Sequence, residues 1–153
     1  MTTSPNPEEM AAWKSFLKAH ATVVRLLEQE MEEEQGLSLT WYDGLVQLEH
    51  QGGRLRMCDL ADSVLLSRSN ITRLVDRMAG AGLIRREPSP EDRRGMYASI
   101  TQEGREALRR AWPGHWRSIV NHFIQHLNHQ DIKGLYTALS KVLEGETGHR
   151  AED

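Results

Sequence analysis

The chain has 153 residues, of which 39% are hydrophobic and 27% charged, and its formal net charge is −3. This size and composition favour one globular domain with a hydrophobic core over a disordered chain or two domains. No stretch is apolar enough to span a membrane, and the N-terminus lacks the basic-then-apolar order of a signal peptide, so we expect a cytoplasmic protein. The single cysteine, Cys58, cannot form an internal disulfide, which agrees with a reducing compartment.

Charge is distributed unevenly along the chain. Residues 1–53 carry three basic and nine acidic groups, whereas residues 67–94 carry seven arginines and four acidic groups. A basic zone on an acidic protein indicates a polyanionic partner for that zone alone. The alternative is that the zone is only a solvated face.

Periodic apolar residues predict three helices in the first part of the chain. From about Met10 they recur along one helical stripe, and Gly36 ends that helix. A second helix is predicted from about Leu39 to His50, with Thr40 as its N-cap. A glycine turn and a short strand, LRM, then precede a third helix from about Cys58 to Val64.

The segment SRSNITRLVDRMAGAG predicts a fourth helix of about 13 residues, because Ser67 is a suitable N-cap and two glycines supply stop signals. Its apolar residues follow the i, i+3, i+4, i+7 spacing of one buried face: Ile71, Leu74, Val75 and Met78. The opposite face carries polar side chains, namely Ser69, Arg73 and Asp76, flanked by Thr72 and Arg77.

Two strand-like segments, LIRRE and MYASI, follow this helix, and eight residues separate them. Most hairpins close with about two to five residues, so the extra length predicts an extended tip with a function of its own. Thr101 caps a long helix that Pro113-Gly114 must kink or break. A helical pattern resumes from Trp116 to Leu127, and a last helix follows Asn128.

The fourth helix is narrow enough for the major groove of B-DNA, where each base pair presents a distinct pattern of donors and acceptors. Arg73 on its outward face can grip a guanine edge or two phosphates. Polar residues near the N-terminus can reach phosphates or base edges, helped by the helix dipole. The predicted DNA-reading residues of this helix are Ser67, Arg68, Ser69, Asn70, Thr72, Arg73 and Arg77. Alternatively, the helix is an amphipathic surface element of a protein that binds no DNA.

The tip between the two strands carries the sequence DRRG, and arginines on such a tip can enter the narrow minor groove. We expect Arg94 to enter the groove, Arg93 to meet the backbone and Asp92 to hold a neighbouring guanidinium. The alternative is a surface ion pair, which is worth only ~0 to 1 kcal/mol.

The order of elements predicts a mainly α fold with a small β wing, namely a winged helix-turn-helix framed by N- and C-terminal dimerisation helices. We expect a single domain over residues 1–153, with the DNA-binding part at 36–104 and the dimerisation helices at 10–35 and 105–146. Because the first and last helices each carry an apolar stripe, we expect them to pack on each other and on a second copy.

The sequence resembles the multiple antibiotic resistance regulator (MarR) family of bacterial transcription factors. The similarity lies in LADSVLLSRSNITRLVDRMAGAGLIRRE and in the wing DRRGMYASIT, where Ile100 stands in place of a more usual leucine. The resemblance covers residues 36–110 in detail and nearly the whole chain in element order. It implies an obligate dimer on a pseudo-palindromic operator, usually a repressor released by a small, often phenolic, ligand. By position, Asp92 and Arg94 would be the wing pair and Ser67 to Arg73 the recognition segment.

Two further groups of side chains are candidate binding sites. Trp13, His20 and Trp41 fall where members of the family form a ligand crevice, so a small aromatic ligand could stack there, although core or interface aromatics are the alternative. His115, His122 and His126 project within a ~60° arc if one helix carries them, which is compatible with a metal site or with an interface stripe. We expect no metal and no cofactor.

The sequence gives no support for an enzyme, because it contains no phosphate-binding glycine loop, nucleophile elbow or paired carboxylates in an apolar setting. The expected partners are double-stranded DNA, a second copy of the chain and a small aromatic ligand, without a membrane. Two alternatives remain open, a metal-responsive regulator of the same fold and a winged-helix module that binds an acidic protein.

Overall fold

The computed structural model describes residues 4–64, 68–92 and 95–149, and its order of elements confirms the predicted winged helix-turn-helix. The helices are α1 Pro7–Gln35, α2 Leu39–His50, α3 Met57–Ser63, α4 Arg68–Gly80, α5 Gln102–His122 and α6 His129–His149. The strands are β1 Arg54–Arg56, β2 Ile84–Pro88 and β3 Met96–Ile100. A short 3-10 helix, Ile124–His126, separates α5 from α6.

Side-chain caps fix the starts of the first two helices. The Asn6 side chain accepts from the Glu9 amide at 2.9 Å while the Glu9 carboxylate accepts from the Asn6 amide at 2.7 Å, so α1 starts earlier than predicted. Ser38, and not Thr40, caps α2, because its hydroxyl accepts from the Trp41 amide at 3.1 Å. The prediction of Thr40 was wrong because that residue already lies inside the first helical turn.

The prediction that Pro113-Gly114 breaks the fifth helix was also wrong, since α5 continues through Pro113 to His122. Proline removes one backbone donor, and packing along α1 compensates for that loss in a long helix. The helical pattern predicted to reach Leu127 ends earlier, because Phe123 leaves the helical conformation and the chain turns into the 3-10 helix.

The three strands form one antiparallel sheet in the order β1-β3-β2. Its inner face includes Leu55 opposite Ala98 and Ile84 opposite Ile100, and it closes over α2, α3 and α4. The largest fully buried side chains come from these helices: Leu45, Leu48, Leu60, Ile71, Val75 and Met78. The core therefore supports the wing and α4 from one side and leaves their outer surfaces free for other contacts.

The long helices at the two ends of the chain pack differently from each other. Within the chain, α1 packs chiefly against α5, which differs from the expected pairing of the first helix with the last. None of the described side chains of α6 is buried, although Tyr136 is 75% and Leu143 68% exposed. Among the described residues, no helix combines the length and apolar character that a bilayer span requires.

Candidate nucleic-acid interface and ligand crevice

Helix α4 separates an apolar face from a polar one, as the sequence pattern predicts. Ile71, Leu74, Val75 and Met78 are buried against the core. The exposed side carries Asn70, Thr72, Arg73, Asp76 and Arg77. Asn70, Arg73 and Arg77 follow i, i+3, i+7 spacing, so they form one line along the helix. Among the other predicted DNA-reading residues, Ser67 and the side chains of Arg68 and Ser69 lie outside the described part of the chain.

An ion pair joins α4 to the wing. The guanidinium Nη1 of Arg86 on β2 lies 2.7 Å from Oδ1 of Asp76 on α4, and both side chains are about half exposed. Such a pair adds only ~0 to 1 kcal/mol to stability, but it fixes the angle between helix and wing. The sequence analysis did not predict it, because neither residue reveals from the sequence alone which helix and strand faces meet.

Ser89 organises the turn between β2 and β3. Only 8% of this residue is exposed, and its hydroxyl accepts from the amides of Glu91 at 3.3 Å and Asp92 at 3.2 Å. The Ser89 amide donates to the Gly95 carbonyl at 2.9 Å, and the Gly95 amide donates to the Asp92 carbonyl at 3.0 Å. A Cβ on Gly95 would lie 3.0 Å from that of Ser89, so the close approach favours glycine. These contacts hold a compact turn from which Asp92 is exposed.

The wing arginines Arg93 and Arg94 lie outside the described residues, so their predicted contacts with DNA stay predictions. The described parts of the predicted interface are the outward face of α4 and Asp92. They belong to consecutive elements that the Asp76–Arg86 pair ties together.

A crevice of about 550 Å³ opens between α1, α2 and α5. Its apolar lining includes Val24, Leu27, Leu39, Val46 and Trp112, and its polar lining includes His20, Glu28, Tyr42, Asp43 and His115. Of the three predicted ligand residues, His20 lines this crevice. Trp13 lies farther towards the start of α1, 54% exposed and 6.1 Å from the ring of Phe16, and Trp41 packs against the core.

Tyr42 and His115 place two buried polar atoms at the crevice. Their ring centroids are 4.6 Å apart, and neither Tyr42 Oη nor His115 Nδ1 has a hydrogen-bond partner among the described residues. Burial raises the pKa of Tyr42 and lowers the pKa of His115, although the Asp43 carboxylate opposes the second effect. Both side chains are therefore neutral near pH 7 and can exchange hydrogen bonds with a guest molecule. The sequence analysis assigned Tyr42 no role.

The three histidines predicted as a possible stripe lie in different surroundings. His115 stacks on Tyr42, the Nε2 of His122 lies 2.6 Å from Oε1 of Glu30 on α1, and His126 is exposed in the 3-10 helix. One helix does not carry all three, because α5 ends at His122. Within the described ranges, no cluster of three or more His, Cys, Asp or Glu side chains could hold a metal ion.

A winged helix-turn-helix whose second helix presents a polar face beside a tied-down wing defines a DNA-binding protein of the winged-helix class. The sequence model of the MarR family matches residues 37–96. The chain is 30% identical to the HTH-type transcriptional regulator MhqR of Bacillus subtilis, over 70% of this chain and 72% of that protein.

Two solved structures from Streptomyces coelicolor resemble the fold closely. The MarR family regulator AbsC superposes with a TM-score of 0.86 at 34% identity, over 96% of this chain and 99% of that one. The MarR family regulator Sco3205, solved in complex with DNA, gives a TM-score of 0.88 at 32% identity, over 95% and 91% of the two chains. The chain belongs to the MarR family of transcriptional regulators.

Proposed function

We propose that this chain is a homodimeric, sequence-specific DNA-binding regulator that represses transcription from a pseudo-palindromic operator and responds to a small aromatic ligand. The observation that carries the proposal is the line of Asn70, Arg73 and Arg77 on the exposed side of α4, beside the wing. The related regulator Sco3205, solved in complex with DNA, supports this role for the same face. In this reading Arg73 contacts base edges or phosphates, while Asp92, Arg93 and Arg94 act at the adjacent minor groove.

The dimer is supported by the apolar surface that the long helices leave exposed. A helix of 21 residues without a buried side chain gains little from packing in its own chain, and α6 carries Tyr136, Val142 and Leu143 at more than 60% exposure. A second copy would cover such surface and place two α4 helices about one DNA turn apart. The region of the proposed dimer contact is the one assigned from the sequence, residues 10–35 and 105–146.

The ligand response is supported by the crevice. It joins α1 and α5, the proposed dimerisation helices, to α2 of the DNA-binding part, so an occupant contacts both. Its apolar walls suit an aromatic ring, and Tyr42 Oη and His115 Nδ1 offer unused hydrogen-bonding capacity. A ligand that fits one arrangement of the two parts better than the other shifts the population, and hence the spacing of the reading helices. The proposed activity is binding rather than catalysis, and it places the protein in the cytoplasm with the DNA.

The test is DNA binding of Arg73→Ala and Arg94→Ala, with duplexes from upstream of the gene and from a random library selected by the wild-type protein. We expect Arg73→Ala to cost about 1–3 kcal/mol and to relax sequence preference, because a bidentate base contact is lost. Arg94→Ala should weaken binding to all sequences and reduce the salt slope by about one unit. Arg110→Ala removes the same charge from the exposed side of α5 and serves as the control.

Unchanged affinity of both variants at physiological salt would contradict the assignment of the interface. A wild-type protein without salt-dependent DNA binding would instead support the alternative of a protein-interaction module.

A further inference from the structure

The outward face of the wing sheet carries a group of charged residues that the proposed DNA contacts do not use. The strand register places Arg56 directly opposite Tyr97 and Arg54 opposite Ser99, while Leu55 between them pairs with buried Ala98. Residues directly opposite each other share a face, so both arginines lie on the side of the sheet away from the core. We call Arg54, Arg56 and Tyr97 the wing-sheet cluster.

Tyr97 holds both guanidinium groups. The guanidinium carbon of Arg54 lies 4.3 Å from the centroid of the Tyr97 ring and that of Arg56 lies 5.8 Å away. The Nε of Arg56 also donates to the Tyr97 hydroxyl at 3.4 Å, and this hydrogen bond raises the pKa of Arg56, with a smaller contribution from the Asp92 carboxylate. Two like charges on one ring repel each other, so the ring fixes an arrangement that an anion between the arginines would stabilise.

The described acidic side chains nearby do not neutralise the cluster. Glu87 Oε2 is 3.8 Å from Nη1 of Arg54, and the two side chains are 35% and 50% exposed, so the pair is long and screened by solvent. Arg56 uses one of its five donor hydrogens on Tyr97, which leaves most of the fork directed elsewhere. The cluster therefore keeps the capacity to bind phosphate oxygens.

The position of the cluster connects it to the proposed interface. Arg56 is the last residue of β1 and Tyr97 the second residue of β3, so both lie at the end of the sheet from which the wing turn projects. The electrostatic influence of Asp92 on Arg56 places that turn close to the cluster. A duplex that accepts the wing in its minor groove has a phosphate backbone on each side of the wing.

We propose that Arg54 and Arg56, positioned by Tyr97, bind the phosphate backbone of the duplex beside the wing and extend the footprint beyond the bases that α4 reads. This inference rests on the proposed DNA-binding function. The contact is independent of sequence, because phosphates carry no base information. Tyr97 is a positioning residue, since it acts through the two guanidinium groups.

The experiment measures the affinity of the double variant Arg54→Ala/Arg56→Ala for a selected operator and for an unrelated duplex, between low and physiological salt. Counterion release predicts a slope smaller by about one to two units, and an affinity about fivefold weaker per lost contact at 0.15 M salt. The loss should be equal on both duplexes, so the preference for the operator should not change. A duplex trimmed to the bases beneath the α4 helices should bind both proteins alike.

Tyr97→Phe and Tyr97→Leu separate positioning from folding. The phenylalanine variant keeps the ring and should retain most of the salt slope, whereas the leucine variant should lose part of it while its thermal unfolding midpoint stays close to that of Tyr97→Phe. Arg110→Ala again controls for the change in net charge. A double variant with the wild-type slope on the long duplex overturns the inference, including the case in which it has lost binding to an acidic polypeptide. Loss of operator preference in Arg73→Ala would show that the proposed function survives that failure.

Discussion

Tyr42 and His115 combine burial, ring contact and unused hydrogen-bonding atoms at the wall of the crevice. A buried polar atom without a partner costs about 1–3 kcal/mol, so the free protein carries an unfavourable contribution that a suitable guest can remove. The guest need not be anionic. Glu28 and Asp43 also line the crevice, and their carboxylates favour a neutral or cationic aromatic over a carboxylate.

The burial of His115 predicts a dependence of stability on pH. Because burial lowers the pKa of His115 in the folded state, the unfolded chain binds the proton more readily there, and protonation favours unfolding. The contribution of this residue is complete above the unfolded pKa of about 6.5 and is lost as pH falls towards the folded value. His115→Phe should therefore lose less of its free energy of unfolding than the wild type between pH 7.5 and 5, as measured by urea denaturation.

Phenylalanine suits this substitution because it keeps a ring against Tyr42 and adds no titrating group. The neighbouring Asp43 carboxylate opposes the shift in the pKa of His115, so Asp43→Asn should enlarge the loss of stability in acid. Equal losses in the wild type and in His115→Phe would contradict the prediction.

At this scale the sequence predicts residues whose role depends on a local period. The buried and exposed positions of α4 follow from four apolar residues on one helical face, and these are buried as expected. The contact between Tyr42 and His115 does not follow, because it joins α2 to α5 across the fold and no local period records it.

The start of α5 shows how one element is fixed to another. The Thr101 hydroxyl accepts from the Gly104 amide at 3.0 Å, as the predicted cap requires, and donates to the Gly82 carbonyl at 2.6 Å. Gly104 is buried so close to the wing that a Cβ there would overlap the carbonyl oxygen of Leu83 and lie 2.8 Å from Cγ1 of Ile100. The helix that leads to the dimerisation part is therefore anchored directly on the base of the wing.

Gly104→Ala should destabilise the protein by about 1–3 kcal/mol, because the neighbouring group is backbone and the core must shift to admit a methyl group. Helix propensity alone predicts the opposite sign, since alanine is favoured over glycine by about 1 kcal/mol inside a helix. Gly145→Ala in α6 is the matched control, because a Cβ there has open space around it. Denaturant unfolding of both variants distinguishes packing from propensity, and a stabilised Gly104→Ala would refute the close approach.

The sequence predicts elements well where one capping or stop residue decides their ends. Thr101 and Gly36 act as expected, whereas Ser38 replaces Thr40 because two adjacent polar residues compete for the same role. Pro113 does not end α5, since the long contact with α1 outweighs one missing hydrogen bond. The cap is a local property, but the continuation of a helix through a proline depends on its packing.

At the scale of the whole molecule, the amphipathic last helix is the part of the fold that a single chain leaves incomplete. Its leucines, isoleucine, valine and tyrosine repeat with helical spacing, yet none of its described side chains is buried. The sequence predicts the apolar stripe but assigns it partly to α1 of the same chain. In the structure α1 packs chiefly against α5, which leaves the stripe of α6 to a second copy in the proposed dimer.

If α6 joins two copies, charge on its exposed apolar face must separate them. Val142→Asp/Leu143→Asp should shift the protein from dimer to monomer in sedimentation equilibrium, because two carboxylates would have to be buried unpaired at the contact. Affinity for the full palindrome should fall steeply, since one copy then binds without the linked second site, whereas affinity for a half-site should change little. Gln130→Asp, which places one carboxylate at an exposed polar position of α6, should leave a dimer. A double variant that remains dimeric and keeps the wild-type preference for a palindrome would exclude α6 from the contact and assign dimerisation to α1 and α5.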